Sequence, residues 1–255
     1  MGQDKLKYDL SPLFFININL KITVDNIRTV SDTKRAFYSL HPRPLNSIYS
    51  RVVEELLVEL HLNLVNVDFH YDPIFALGVV TAYDRFMQGY QPESDQSSIF
   101  QGLIRAQEQD PDRYRGDAQR LLDLAKRLSP SELMAWLTFA TNQGDVQDIQ
   151  DNLRAIANNP KFKYSRLFGI GIYSLLESSA TDIAKDENQR KQALQQISTA
   201  LNISEDKFTK DWELYRSNLE KIAQAKIAMD DMVQAARKKR EQAEAAKANL
   251  ATPSV

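Results

Sequence analysis

Apolar positions along most of the chain recur at steps of three and four, a spacing that predicts helices rather than strands. Ile48, Val52, Leu56 and Leu60 form one such stripe behind Asn46 or Ser47, with Glu54, Glu55 and Glu59 expected on the opposite face. Three more helices are marked by their first residues. Asp72-Pro73, Asp110-Pro111 and Ser129-Pro130 each set a capping side chain before a proline at the first helical position, where a missing N–H breaks no intrahelical bond. Ser31 is read as the cap of a short helix through Leu40, which His41-Pro42-Arg43-Pro44 interrupts. The pattern places further helices at about 73–89, 96–108, 111–128, 131–142, 145–157, 164–179 and 187–201. The connections between them are short and polar, which predicts one packed helical domain over residues 26–203.

The pattern changes at Ser204. Phe208, Trp212, Tyr215, Leu219, Ile222, Lys226, Met229, Val233 and Ala236 alternate steps of four and three, the seam of a coiled-coil-like helix with one polar interruption at Lys226. The seam then gives way to Arg237-Lys238-Lys239-Arg240 and a tract of Ala, Glu, Lys and Gln with high helix propensity and no apolar face. A helix over residues 204–249 is roughly 70 Å long at 1.5 Å per residue, whereas a domain of the size of 26–203 is about 40 Å across. Residues 204–255 are therefore expected to form a projecting helix with a frayed tail. The predicted fold class is all-α, a single multi-helix globular domain with a long C-terminal coiled-coil-like helix. An exposed seam seeks a partner, so Leu219, Ile222, Met229 and Val233 are the candidate partner-binding residues. Arg237, Lys238, Lys239 and Arg240 join them because a basic cluster is attracted to anionic lipid headgroups.

Composition narrows the function. At 255 residues, with 43% hydrophobic and 26% charged positions, the chain is long enough and apolar enough for a full core. Lys and Arg number 32 against 34 for Asp and Glu, so the basic excess of a dedicated nucleic-acid binder is missing. Eight glycines leave few for tight hairpins or phosphate loops, and the absence of cysteine removes disulfides, thiolate metal sites and cysteine nucleophiles together. No apolar run reaches the ~20 residues of a spanning helix. Leu13-Phe14-Phe15-Ile16 is too short for a signal peptide and is followed by Asn17 and Asn19, so residues 1–25 are read as a flexible extension.

The clusters that carry chemistry in other proteins have simpler readings here. Asp68, His70 and Asp72 alternate in a short loop, a spacing able to converge on a metal, but Asp72 has an adequate role as a helix cap. Glu55, Glu59 and His61 miss the Glu-x-x-His spacing of a di-iron bundle, since Val58 stands three before His61. Gly169-Ile170-Gly171 has Ser174 where a dinucleotide fingerprint requires a smaller residue, and close helix–helix approach explains it better. Asp84-Arg85, on an otherwise apolar helix, is read as a structural ion pair. No nucleophile elbow or Walker motif occurs. The expectation is a non-enzymatic protein with no catalytic residues, metal or cofactor.

Three long segments carry a family resemblance: Asn26-Ile27-Arg28-Thr29-Val30-Ser31-Asp32-Thr33-Lys34, Tyr49 through Asp68, and Tyr71 through Glu93. They closely resemble the thylakoid formation protein family, also called photosystem II biogenesis factors, and the likeness continues through Leu167-Phe168-Gly169-Ile170-Gly171 into the C-terminal helix. The resemblance implies an all-helical fold with a C-terminal coiled coil. It also implies a role in thylakoid biogenesis and photosystem II repair, exercised by binding and stabilising the membrane FtsH protease complex. The implied partners are that protease and photosystem II or its assembly intermediates, with peripheral membrane contact and no nucleic acid. Without a plant-type transit peptide the chain looks cyanobacterial, and the implied location is the cytoplasmic face of the thylakoid, with a soluble pool. Residues 1–23 lie outside the resemblance. A competing class, a pigment-binding or photosystem-interacting helical protein, is suggested by Tyr83, Phe86, Trp136 and Phe139.

Overall fold

The computed structural model describes residues 28–179 and 186–250. The extension read at residues 1–25 lies outside the described residues. The helices are α1 (Val30–Leu40), α2 (Ser47–Leu64), α3 (Pro73–Phe86), α4 (Ser94–Arg105), α5 (Pro111–Arg127), α6 (Pro130–Leu137), α7 (Gln147–Ala157), α8 (Arg166–Ser179), α9 (Glu187–Leu201) and α10 (Glu205–Leu250). A single 3-10 turn, Gly144–Val146, leads into α7. Among the described residues there is no strand, and the expected all-α class with a long C-terminal helix is what the chain adopts.

Local chemistry sets the helix starts. The Asp72 carboxylate accepts from the Phe75 N–H at 2.7 Å, Asp110 accepts from Asp112, and Ser129 forms a capping box with Glu132. Each cap satisfies an N–H that the first turn cannot pair internally. The first helix corrects the sequence reading. Its cap is Thr29 rather than Ser31, because Asp32 three residues on completes the reciprocal box: the Asp32 N–H donates to Thr29 Oγ1 at 3.2 Å, and the Thr29 N–H donates to Asp32 Oδ2 at 3.1 Å. Helix α6 also stops earlier than expected, at Leu137, where Phe139 turns into the left-handed region at φ 65°. Asn202, at φ 54°, closes α9 in the same conformation and turns the chain toward α10.

Helix α3 is the centre of the body. Every residue from Pro73 to Val80 is buried, as are Ala82 and Tyr83, and its most extensive packing is on α8 and α5. The approach to α8 is backbone to backbone and reciprocal. A methyl group added at Gly78 would lie on the Leu167 carbonyl, and one added at Gly171 would lie on the Ile74 carbonyl. Ser174 Oγ adds a hydrogen bond to Thr81 Oγ1 at 3.0 Å across the same seam. Gly171 of the Gly169-Ile170-Gly171 run therefore marks close helix approach, with Gly78 as its counterpart on α3, whereas a methyl added at Gly169 would meet the Tyr164 hydroxyl and the Phe208 ring.

Two charged assignments change. Asp84 and Arg85 do not pair with each other: Asp84 takes a bidentate bond from Arg115, at 2.6 and 2.8 Å, and Arg85 pairs with Glu177 on α8. Adjacent residues on a helix point about 100° apart, so each finds a different neighbour. Glu59, expected to face away, is instead held by Arg166 through bonds of 3.2 and 2.5 Å and is only 18% exposed. Helix α2 buries Tyr49, Val53 and Leu57 as well as Val52, Leu56 and Leu60, which leaves a narrower polar face than the single stripe implied. His61 is a core histidine whose Nδ1 meets Thr33 Oγ1 at 3.0 Å.

Asp72 yields a pH-dependent prediction. It is 4% exposed, and burial pushes its carboxyl up to about 7. Below the ordinary carboxyl range, both folded and unfolded chains hold the proton. Between roughly pH 4 and 7 the unfolded chain has released a proton that the folded chain keeps, so stability falls as pH rises and the full penalty stands above pH 7. A three-unit shift corresponds to ~4 kcal/mol at most. That value is already net of the Phe75 and Ile74 N–H groups, which pull the carboxyl down, and relaxation around the ionised carboxylate is expected to offset roughly half of the penalty, leaving about 2 kcal/mol. Asp72→Asn keeps an accepting oxygen at the cap and is expected to gain about 2 kcal/mol over the parent at pH 8 and little near pH 4. Urea unfolding across that range measures the difference. A gain that shrinks with rising pH would mean that the helix terminus, not burial, governs this carboxyl.

Candidate interaction surface

Helix α10 is anchored by its first turns. Phe208, Trp212 and Tyr215 are buried: Phe208 meets Tyr164 edge-on, Trp212 lies against Tyr173, and Tyr215 meets Phe86 edge-on at 5.6 Å. Arg85 sits 6.0 Å from the Tyr215 ring centroid while pairing with Glu177, and Glu177 also accepts from the Tyr173 hydroxyl at 2.9 Å. This aromatic and ionic joint ties α10 to α3 and α8. Large rings give the most buried apolar area per residue, which makes the start of the helix its firmest part.

The predicted seam then divides into two parts. Leu219 and Ile222 are half-buried and pack against the core. Lys226, the polar interruption, donates to the Gln88 carbonyl and lies 5.5 Å from the Tyr49 ring centroid. Partial burial pushes its ammonium below the ordinary lysine range. Lys226 is thus a clasp, which explains a lysine at a seam position. Met229 is half-buried, and Val233 is 62% exposed. From Asp231 to Gln242 every residue is exposed. Arg237 pairs with Glu241 along the helix at 2.8 Å, and Lys238, Lys239 and Arg240 are exposed beside it.

Leu219 and Ile222 are thus already partly engaged with the body, whereas Met229, Val233 and the basic cluster stand further out. Ile227 and Met232, which the seam did not include, are more exposed than Val233, at 63% and 68%. Their exposure follows from where α10 leaves the body, which no local pattern records. The aromatics behind the pigment reading are spent on packing: Tyr83 and Trp136 are buried, Phe86 meets Tyr215, and Phe139 lies under Arg154.

Among the described residues no group of three His, Cys, Asp or Glu side chains is placed to hold a metal ion. The aspartate and histidine of the loop before α3 have local roles, Asp72 as a cap and His70 Nδ1 beside the Asp68 carbonyl at 3.1 Å. No helix among the described residues is long and apolar enough to cross a membrane.

Comparison with known proteins follows this geometry closely. A family model described as thylakoid formation protein matches residues 29–244, from the cap of α1 to the distal part of α10. Protein Thf1 of Nostoc punctiforme is 60% identical over 219 residues, covering 86% of this chain and 93% of the relative. Protein Thf1 of Acaryochloris marina is 57% identical over 224 residues, covering 88% and 90%. Among solved structures, one of Psb29 superposes with a TM-score of 0.73 at 42% identity, covering 84% of this chain and 99% of that one. Fold, spacing and sequence agree over nearly all of the described residues, and the chain belongs to the thylakoid formation protein family.

Proposed function

We propose that this chain is a non-enzymatic thylakoid biogenesis factor that works as a peripheral docking protein, using the outer part of α10 to bind and stabilise membrane FtsH protease complexes during photosystem II repair. Family membership over residues 29–244 supports the thylakoid role, and the family's name describes a biogenesis task rather than a reaction. The observation that favours docking through α10 is the run of exposed Ile227, Met232 and Val233 on a helix whose first turns are fixed to the body. Apolar side chains held out in this way are typical of helix partners. The basic residues Arg237 to Arg240 suit a surface beside an anionic membrane, where each cation contributes roughly 1 kcal/mol. The reading places the protein at the cytoplasmic face of the thylakoid with a soluble pool, next to photosystem II or its assembly intermediates.

The test is affinity capture from cyanobacterial thylakoid membranes with the full chain and with Met229→Asp/Val233→Asp. Neither position is in the core, so the helical content and melting temperature are expected to stay at parent values while FtsH recovery falls at least tenfold. Undiminished FtsH recovery would move the docking surface off α10 and onto the helical body.

A further inference from the structure

Between Tyr215 and Lys226, where α10 is held to the body, its inner face borders a cavity of about 420 Å³ bounded by α2, the end of α3, α8 and α10. One part of its lining is apolar, with Val52 and Leu56 from α2, Phe86 from α3, Ile170 from α8, and Ile222 and Ala225 from α10. Packed interiors leave few voids larger than a water molecule. This one falls within the ~300–1,000 Å³ of small-molecule sites, which favour the space between helices of a bundle.

The mouth is polar, and its charges do not balance. Arg51, Arg166 and Lys221 face Glu55 and Glu59. Arg51 bonds Glu55 at 3.0 Å, and Arg166 holds Glu59 in a bidentate pair. Among the described residues Lys221 is left as the surplus cation, with the half-buried Asn218 one turn before it on α10. A paired carboxylate repels a second anion less than a bare one, and an unpaired ammonium attracts it.

We propose that this cavity binds a single-chain anionic amphiphile, the acyl chain lying among Val52, Leu56, Phe86, Ile170 and Ile222 and the anionic head meeting Lys221 and Asn218. The apolar walls carry the chain by removing it from water, and Lys221 selects the charge of the head. This assignment does not rest on the docking reading, since it uses the inner half of α10 rather than the exposed outer half.

The probe is dansylaminoundecanoic acid, titrated into the full-length protein below its micelle concentration and followed by dansyl fluorescence. Saturable one-to-one binding is expected, displaced by palmitate or by lysophosphatidylglycerol, the stronger competitor identifying a free fatty acid or a membrane-derived lipid as the source of the head. Hexadecanol, with the same chain and no charge, is expected to compete at least tenfold less well. Ala225→Phe fills the cavity from α10 and should abolish binding, with helical content unchanged. Lys221→Glu changes an exposed residue that the fold does not need and should weaken binding at least tenfold, so the proposal stands testable even if the phenylalanine variant misfolds. Absence of saturable binding, or binding indifferent to Lys221→Glu and to the charge of the competitor, would overturn it.

Discussion

Gly78→Ala is expected to lower the stability of the body by more than about 3 kcal/mol, beyond the usual range for one added methylene in a packed core. The reason is the identity of the obstacle. The new methyl would meet the Leu167 carbonyl, a backbone group of α8 that cannot swing aside as a side chain can. The helices would have to part, which would also stretch the Ser174–Thr81 bond and loosen the apolar contacts of the most extensive helix pair in the fold. Gly171→Ala should act alike from the other side, on the Ile74 carbonyl. Because either change separates the same two helices, the double variant should lose less than the sum of the singles. Gly116→Ala is the control: it lies within α5, nothing lies within 4 Å of an added methyl there, and alanine favours a helix by up to ~1 kcal/mol over glycine. Urea midpoints measure all four variants. A parent-like midpoint for Gly78→Ala would mean that α3 and α8 can move apart freely.

Leu77→Ala should destabilise by about 2–5 kcal/mol, the span seen when a fully buried leucine is truncated and its surroundings relax only in part. Leu77 is 0% exposed and, like Ile74 and Val80, lies on α3, which packs against α8, α5, α2 and α10. Phe86, expected to share that face, is only half-buried and lines the cavity under α10. Truncating Phe86 should therefore cost less than its size suggests. The comparison of Leu77→Ala with Phe86→Ala by denaturation tests the placement of the core as well as its strength, and an unchanged midpoint for Leu77→Ala would put the centre of the body elsewhere.

The helices and their order are legible in local sequence. Caps at Asp72, Asp110 and Ser129 act over two or three residues, so a local reading finds them. Thr29 and Ser31 are both good caps by type, and the reciprocal Asp32 decides for Thr29. The long segments resembling the thylakoid formation protein family were legible for the same reason, being continuous along the chain. The seam of α10 was legible too, but its engagement was not. Whether Ile222 faces the body and Ile227 faces water depends on the angle at which Tyr215 and Lys226 hold the helix.

Pairings that span long stretches of chain follow from helix packing and not from local pattern. Arg85 meets Glu177 across 92 positions and Arg166 meets Glu59 across 107. No spacing rule reaches so far, because the energy of such a pair is set by the packing that brings the helices together. The same holds for the reciprocal contacts of Gly78 and Gly171 and for the cavity. Its walls come from four helices, each of which reads as ordinary amphipathic sequence, and the space lies between the points at which Tyr215 and Lys226 hold α10 to the body.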